Sequence, residues 1–191
     1  MHKNISMQTT NKQLIGELMQ LLERATERVQ QLKALDLSQL NAKENHEKWS
    51  ALECLEHLNL YGDFYLPEIE KRMLAQRQLA KPPVFKSGVI GNYFANLMLA
   101  KNGKIQKMKS PKDKNPNNSS LSITTIDRFL KQQQRLVSLL QQAHNLDLVK
   151  TKTSISISSF IKLRLGDTFR FLIYHIDRHI TQAEKAVLVK G

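Results

Sequence analysis

The chain is expected to fold as an all-α four-helix bundle, and three observations lead there. Leu, Lys, Gln and Ile are plentiful while only seven Gly and five Pro occur in 191 residues, a balance that favours helices. Four long segments repeat apolar residues at three- and four-residue steps. Nothing recurs at a longer fixed period, so four helices packed around one core are the simplest arrangement. At this length the chain reads as a single domain over 1–191, large enough to bury a full core.

Residues 1–10, beginning MHKNISMQTT, are polar and expected to fray. The first helix is read from about Asn11 to Leu35, where Leu14, Leu18, Leu21, Leu22, Ala25, Val29 and Leu32 form the apolar stripe. A polar connector then leads to Trp49-Ser50-Ala51-Leu52-Glu53. Ser50 with Glu53 three residues on makes a capping box, and Trp49 is placed to staple against Cys54. The second helix runs on through Leu55, His57, Leu58, Tyr61, Tyr65 and Ile69 toward Met73. Pro67 removes a backbone donor and disfavours α at Leu66, which predicts a kink or break there.

Periodicity is patchy from Lys81 to Ser120. A short helix fits between Val84 and Met98, with Ile90, Tyr93, Phe94 and Leu97 as its apolar set. Residues 99–120 are expected to form a basic, mobile loop. The third long helix spans about Thr124 to Ala143 through Ile126, Phe129, Leu130, Leu136, Val137, Leu139 and Leu140. Lys150 to Ile161 alternates Ser/Thr with Ile, which suits either an extended segment or a loop closing one end of the bundle. Gly166-Asp167 restarts the chain, with Asp167 expected as N-cap of the last helix.

Composition narrows the function. The lone Cys54 excludes an intramolecular disulfide framework and fits a reducing compartment. With no secretory signal and no apolar run long enough to span a bilayer, a cytoplasmic protein without a membrane partner is expected. A net charge of +12 invites a nucleic-acid partner. Its distribution argues against one: Lys101, Lys104, Lys107, Lys109, Lys112 and Lys114 crowd one connector without interleaved aromatics for stacking. There is also no Gly-rich phosphate loop, nucleophile motif or di-iron carboxylate cluster.

The chemistry gathers on the last helix. His175 and His179 lie four residues apart in LGDTFRFLIYHIDRHITQAEKAV, which brings their Cβ atoms to about 5–6 Å on one face. Thr168, Leu172, His175, His179, Gln182 and Ala186 form one stripe, and Arg170, Asp177, Glu184 and Lys185 fall off it. Two inward imidazoles so spaced can grip one metal ion. The same spacing also suits a hydrogen-bonded core pair, and without a third ligand the core pair is the favoured reading.

Three parts then combine: the W-S-x-x-E-C-x-x-H-L start of the second helix from Trp49 to Leu58, the basic Pro-containing linker, and the terminal helix with His175-Ile176-Asp177-Arg178-His179 and Gln182. In this order they resemble the DinB-like (DinB/YfiT-like) superfamily over nearly the whole chain. The resemblance implies a four-helix bundle, often a homodimer, with a metal site of one histidine from the second helix and two from the last. Carried over, the ligands are His57, His175 and His179. Members include thiol-dependent transferases and isomerases and proteins described as metal-dependent hydrolases.

Three neutral imidazoles on a divalent ion leave a position for water or substrate, as in catalytic zinc sites. Nickel suits imidazole ligands equally well. The expected function is a metal-dependent enzyme acting on a small molecule, either a transferase working with a small thiol or a hydrolase. A metal-holding binding module without turnover is the alternative, and a basic nucleic-acid binder ranks third. Tyr61 and Gln182 are the candidate catalytic residues: Tyr61 follows His57 by one turn, and Gln182 shares the histidine stripe. Glu53 is accounted for by its capping role, Arg178 by a surface or dimer-contact ion pair, and Cys54 as a small buried filler. His2, His46 and His144 read as exposed.

Overall fold

The structure is a computed structural model that describes residues 8–99 and 108–188. Four long helices form the bundle: α1 (Asn11–Leu32), α3 (Ala51–Leu74), α5 (Thr124–Gln142) and α6 (Leu165–Ala186). A single turn, α2 (Leu37–Leu40), and a shorter helix, α4 (Val89–Met98), complete the helical set. In cross-section α1 touches α5 and α6, and α3 touches the same two, so α1 and α3 sit on opposite corners. The stripe predicted for α1 is buried throughout, from Leu14 to Leu32.

Local signals set the helix starts. The Thr10 hydroxyl accepts from the Gln13 amide and caps α1. Residues 1–7 lie outside the described residues, but the frayed end expected through residue 10 is not found at 8–10. There β1 (Gln8–Thr9) pairs antiparallel with β2 (Phe85–Lys86), which buries Thr9. Ser50 and Glu53 form the expected capping box on α3, with Ser50 Oγ accepting from the Glu53 amide and Glu53 Oε2 from the Ser50 amide.

Pro67 does not break α3, which continues to Leu74. The donor it lacks would have reached the Asp63 carbonyl, and both residues lie on the exposed face, so water can take that carbonyl at little cost. Lys150–Ile161 contains β3 (Lys152–Ile155) and the start of β4 (Ser158–Arg164), an antiparallel hairpin that runs into α6. Its alternation was therefore that of strands. The short helix begins later than expected, at Val89, because Phe85–Lys86 is committed to β2. Its Ile90 and Tyr93 face outward, and Gly91, Ala95 and Met98 pack inward instead.

The last helix differs most from its sequence reading. It begins at Leu165, so Asp167 lies inside the first turn rather than at the N-cap. Arg170, placed off the buried stripe by periodicity, is only 2% exposed. The reason is that α4 and the strands cover the side that a four-helix bundle alone would leave to solvent. Asp167 accepts from the Ser87 hydroxyl and the Gly88 amide, while Arg170 donates to Ser87 Oγ and Asn92 Oδ1 and pairs with Asp167. Gly91 makes this approach feasible, since a Cβ there would sit 2.4 Å from Asp167 Oδ2.

This network pins α4 to α6. Arg170→Met should cost about 3–5 kcal/mol, because it strands a buried carboxylate without its counter-charge. Urea denaturation checks this, and a loss below about 1 kcal/mol would mean that Asp167 needs no partner.

Candidate metal centre

Each histidine is delivered by a rigid helix. His57 projects from α3 one turn after Glu53 of the capping box, and His175 and His179 project from α6. All three are buried, and one ligand nitrogen from each lies within 4.8 Å of the others. His57 Nε2 and His175 Nε2 are 3.2 Å apart. An ion held tetrahedrally at about 2.0–2.1 Å sets its ligand atoms about 3.3 Å from one another. The donor set therefore fits one divalent ion.

Hydrogen bonds orient two of the rings for that purpose. His57 Nδ1 lies 2.5 Å from the Lys114 carbonyl. A carbonyl only accepts, so Nδ1 carries the proton and the Nε2 lone pair faces the centre. His179 Nδ1 lies 3.1 Å from Gln182 Oε1, which assigns the ring the same tautomer. His175 Nδ1 is buried without a hydrogen-bond partner. With lone pairs already converging from two rings, a cation between them would relieve a repulsion that the apolar surroundings cannot screen.

Burial also keeps the rings uncharged. It is the largest influence lowering His57 to about 4, assisted by the positive charges of Lys114 and Arg178 and opposed by the Lys114 carbonyl. His175 and His179 are held well below the ordinary histidine value, first by burial and then by neighbouring histidines and Arg178. Neutral imidazole is the form that ligates metal.

The site opens into a cavity of about 1240 Å³ with Trp49, Tyr61, Tyr65 and Phe171 among its walls. Tyr61 is where its spacing suggested, its ring centroid 4.5 Å from that of His175 and 4.9 Å from that of His57. Burial is the main reason its phenol is pushed up to about 12, so it stays protonated. Gln182 lines the cavity too, and its carbonyl accepts from His179.

Several participants were not legible beforehand. The Trp49 indole lies 4.7 Å from His57 and 5.8 Å from His179 between ring centroids, so it walls the site. Arg178, expected on the surface, is buried at the cavity and donates to the Leu97 carbonyl. The loop expected over 99–120 is partly a fixed strap. Residues 100–107 lie outside the described residues, but at 108–120 the chain is tied down. Trp49 Nε1 donates to Asn115 Oδ1, Ser110 to the Lys114 carbonyl, and Lys43 to both Asn117 and Glu53. Asn118 takes the one left-handed backbone conformation among described non-glycine residues, and its amide donates to Glu53. Lys114 contributes through its carbonyl, which side-chain patterns do not reveal. Of the remaining histidines, His46 is exposed, His144 is half-buried and His2 lies outside the described residues.

The sequence model of the DinB superfamily matches residues 17–183, a span that contains all three histidines. This chain belongs to the DinB superfamily. No significant match was found among curated proteins or among solved structures. No helix among the described residues of this DinB-superfamily protein is long and apolar enough to cross a membrane.

Two measurements test the centre. Protein purified without an affinity tag should carry roughly one divalent ion per chain. His175→Ala should lose most of it, and full retention in a His57→Ala, His175→Ala double variant would refute the triad. The second test concerns pH. Below about pH 6.5 the unfolded chain takes up protons that the folded histidines refuse, with His57 protonating in the fold only near 4. Stability of the metal-stripped protein should therefore fall as pH drops from 6.5 toward 4. Replacing all three histidines with alanine should flatten the dependence of the urea midpoint on pH, and an unchanged slope would contradict this.

Proposed function

We propose that the protein is a metal-dependent enzyme in which His57, His175 and His179 hold a zinc or nickel ion, and that it transfers a small thiol to an electrophile. The observation that carries this is the convergence of three neutral, buried imidazoles beside a large open cavity. A purely structural site would be closed. When bound, such an ion supplies Lewis acidity and lowers the pKa of a water or thiol that it takes up.

The chain's own residues favour thiol transfer over hydrolysis. A hydrolase needs a base for the attacking water, and the two carboxylates that precede His57 on α3 are engaged: Glu56 pairs with Arg128, and Glu53 is taken up by its capping box, Lys43 and Asn118. The sulfur must come from the substrate, because Cys54 is fully buried and burial pushes its thiol up. Gln182 keeps His179 in the ligating tautomer. Tyr61, protonated at neutral pH, serves as the proton donor to the electrophile.

With an epoxide as the electrophile the step balances. The sulfur–carbon bond forms as the carbon–oxygen bond breaks. The opening oxygen takes a proton from Tyr61, which regains the one released by the thiol. Hydrolysis in the same pocket is the second reading, and it would consume the epoxide without incorporating sulfur.

The test uses mercaptoethanol and styrene oxide with zinc-loaded, nickel-loaded and metal-stripped protein. Thioether formation should vanish with chelator and return with metal. Tyr61→Phe should keep the metal and lose about 10²-fold in rate. Equal rates in stripped and loaded protein would overturn the reading, and diol in place of thioether would favour the hydrolase.

A further inference from the structure

We infer that the cavity takes a small substrate bearing a carboxylate, and that Arg178 is the side chain that binds it; this rests on the metal-dependent reading above. Arg178 follows His175 by three residues on α6 and precedes His179 by one. That spacing keeps it within about 5–6 Å of His175 between Cβ atoms. It lines the same cavity as both histidines. It is 8% exposed, and Nη1 donates to the Leu97 carbonyl at 3.2 Å, which anchors the guanidinium at the junction of α4 and α6.

The charge around it is mostly positive. Lys48, Lys109, Lys112, Arg178 and Lys185 line the cavity, and its only carboxylates among the described residues are Glu44 and Glu47, both exposed in the connector before α3. The cations come from three segments, Lys48 lying in the connector before α3. Arg178, Gln182 and Lys185 succeed one another at helical spacing along α6, and Lys109 and Lys112 face the cavity from the strap. A cleft with an excess of one sign of charge concentrates ligands of the other.

A carboxylate suits this place. The guanidinium presents a planar fork that matches a carboxylate with two parallel hydrogen bonds. The closeness of Arg178 to the histidines calls for a carboxylate only a bond or two from the reacting atom.

Calorimetric titration of zinc-loaded protein with mercaptoacetate, mercaptoethanol and mercaptomethylphosphonate tests this. Mercaptoacetate should bind about tenfold or more tighter than mercaptoethanol, the range of a charge-assisted hydrogen bond. Arg178→Gln should bring that ratio near one while zinc content and melting temperature hold. Lys71→Gln, an exposed cation away from the cavity, should leave it unchanged. If Arg178→Gln melts early, Arg178→Lys, which keeps the charge but loses the fork, must show a reduced ratio. A ratio near one in the unmodified protein, or one that survives in the Arg178 variants, overturns the inference while leaving the metal centre standing. Tighter binding of the phosphonate overturns the carboxylate. Failure of all three thiols to bind protein that holds zinc would sink the thiol reading itself, and this inference with it.

Discussion

Keeping three imidazoles uncharged inside the bundle is the constraint on which the rest of the site depends. A protonated ring buried there would be unpaired among apolar groups and other nitrogens, a costly arrangement. The fold meets this by burying the rings deeply and by placing Lys114 and Arg178 close enough to disfavour a further positive charge. The same features leave lone pairs directed at one point. Depressed basicity and readiness to ligate a cation are thus two results of one placement.

That placement depends on elements beyond the four-helix core. The Asp167–Arg170 network draws α4 against α6, and α4 in turn supplies the Leu97 carbonyl that receives Arg178. On the opposite side, the strap around Lys114 is fastened to the start of α3 through Trp49, Lys43 and Glu53. Its carbonyl selects the His57 tautomer. Glu53 therefore joins two tasks, closing the capping box and anchoring the strap that faces the histidine one turn later. A carboxylate so engaged is a poor general base, which bears on the kind of reaction the cavity can support.

The cavity combines an aromatic wall with a cationic surround. Trp49, Tyr61 and Phe171 give it apolar area and shape, and Phe171 stacks on His175 with an interplanar angle of 12°. Polar recognition falls to a few groups: the Tyr61 hydroxyl, Gln182 and the cations. This division between apolar bulk and a few placed polar groups is typical of small-molecule sites.

By itself, the sequence determined the long helices and the placing of His175 and His179 on one face of the last. The stripe in α1, the Ser50–Glu53 capping box and the four-residue spacing of His175 and His179 are local properties, fixed by the 3.6-residue repeat and by backbone groups within one turn. The link from those two to His57 came from the family's pattern, since 118 residues separate His57 from His175 and no periodicity crosses such a gap. Only the tertiary structure decided which neighbours complete the site. The burial of Arg170 and Arg178 depends on where α4 lies, and a helical stripe computed from α6 alone cannot register a neighbour on its other side. The role of Lys114 rests on a main-chain carbonyl, a group every residue carries, so the sequence holds no mark of it. The break predicted at Pro67 is absent for a related reason: its effect depends on whether the carbonyl it leaves unbonded meets water or core, and exposure is a property of the assembled fold.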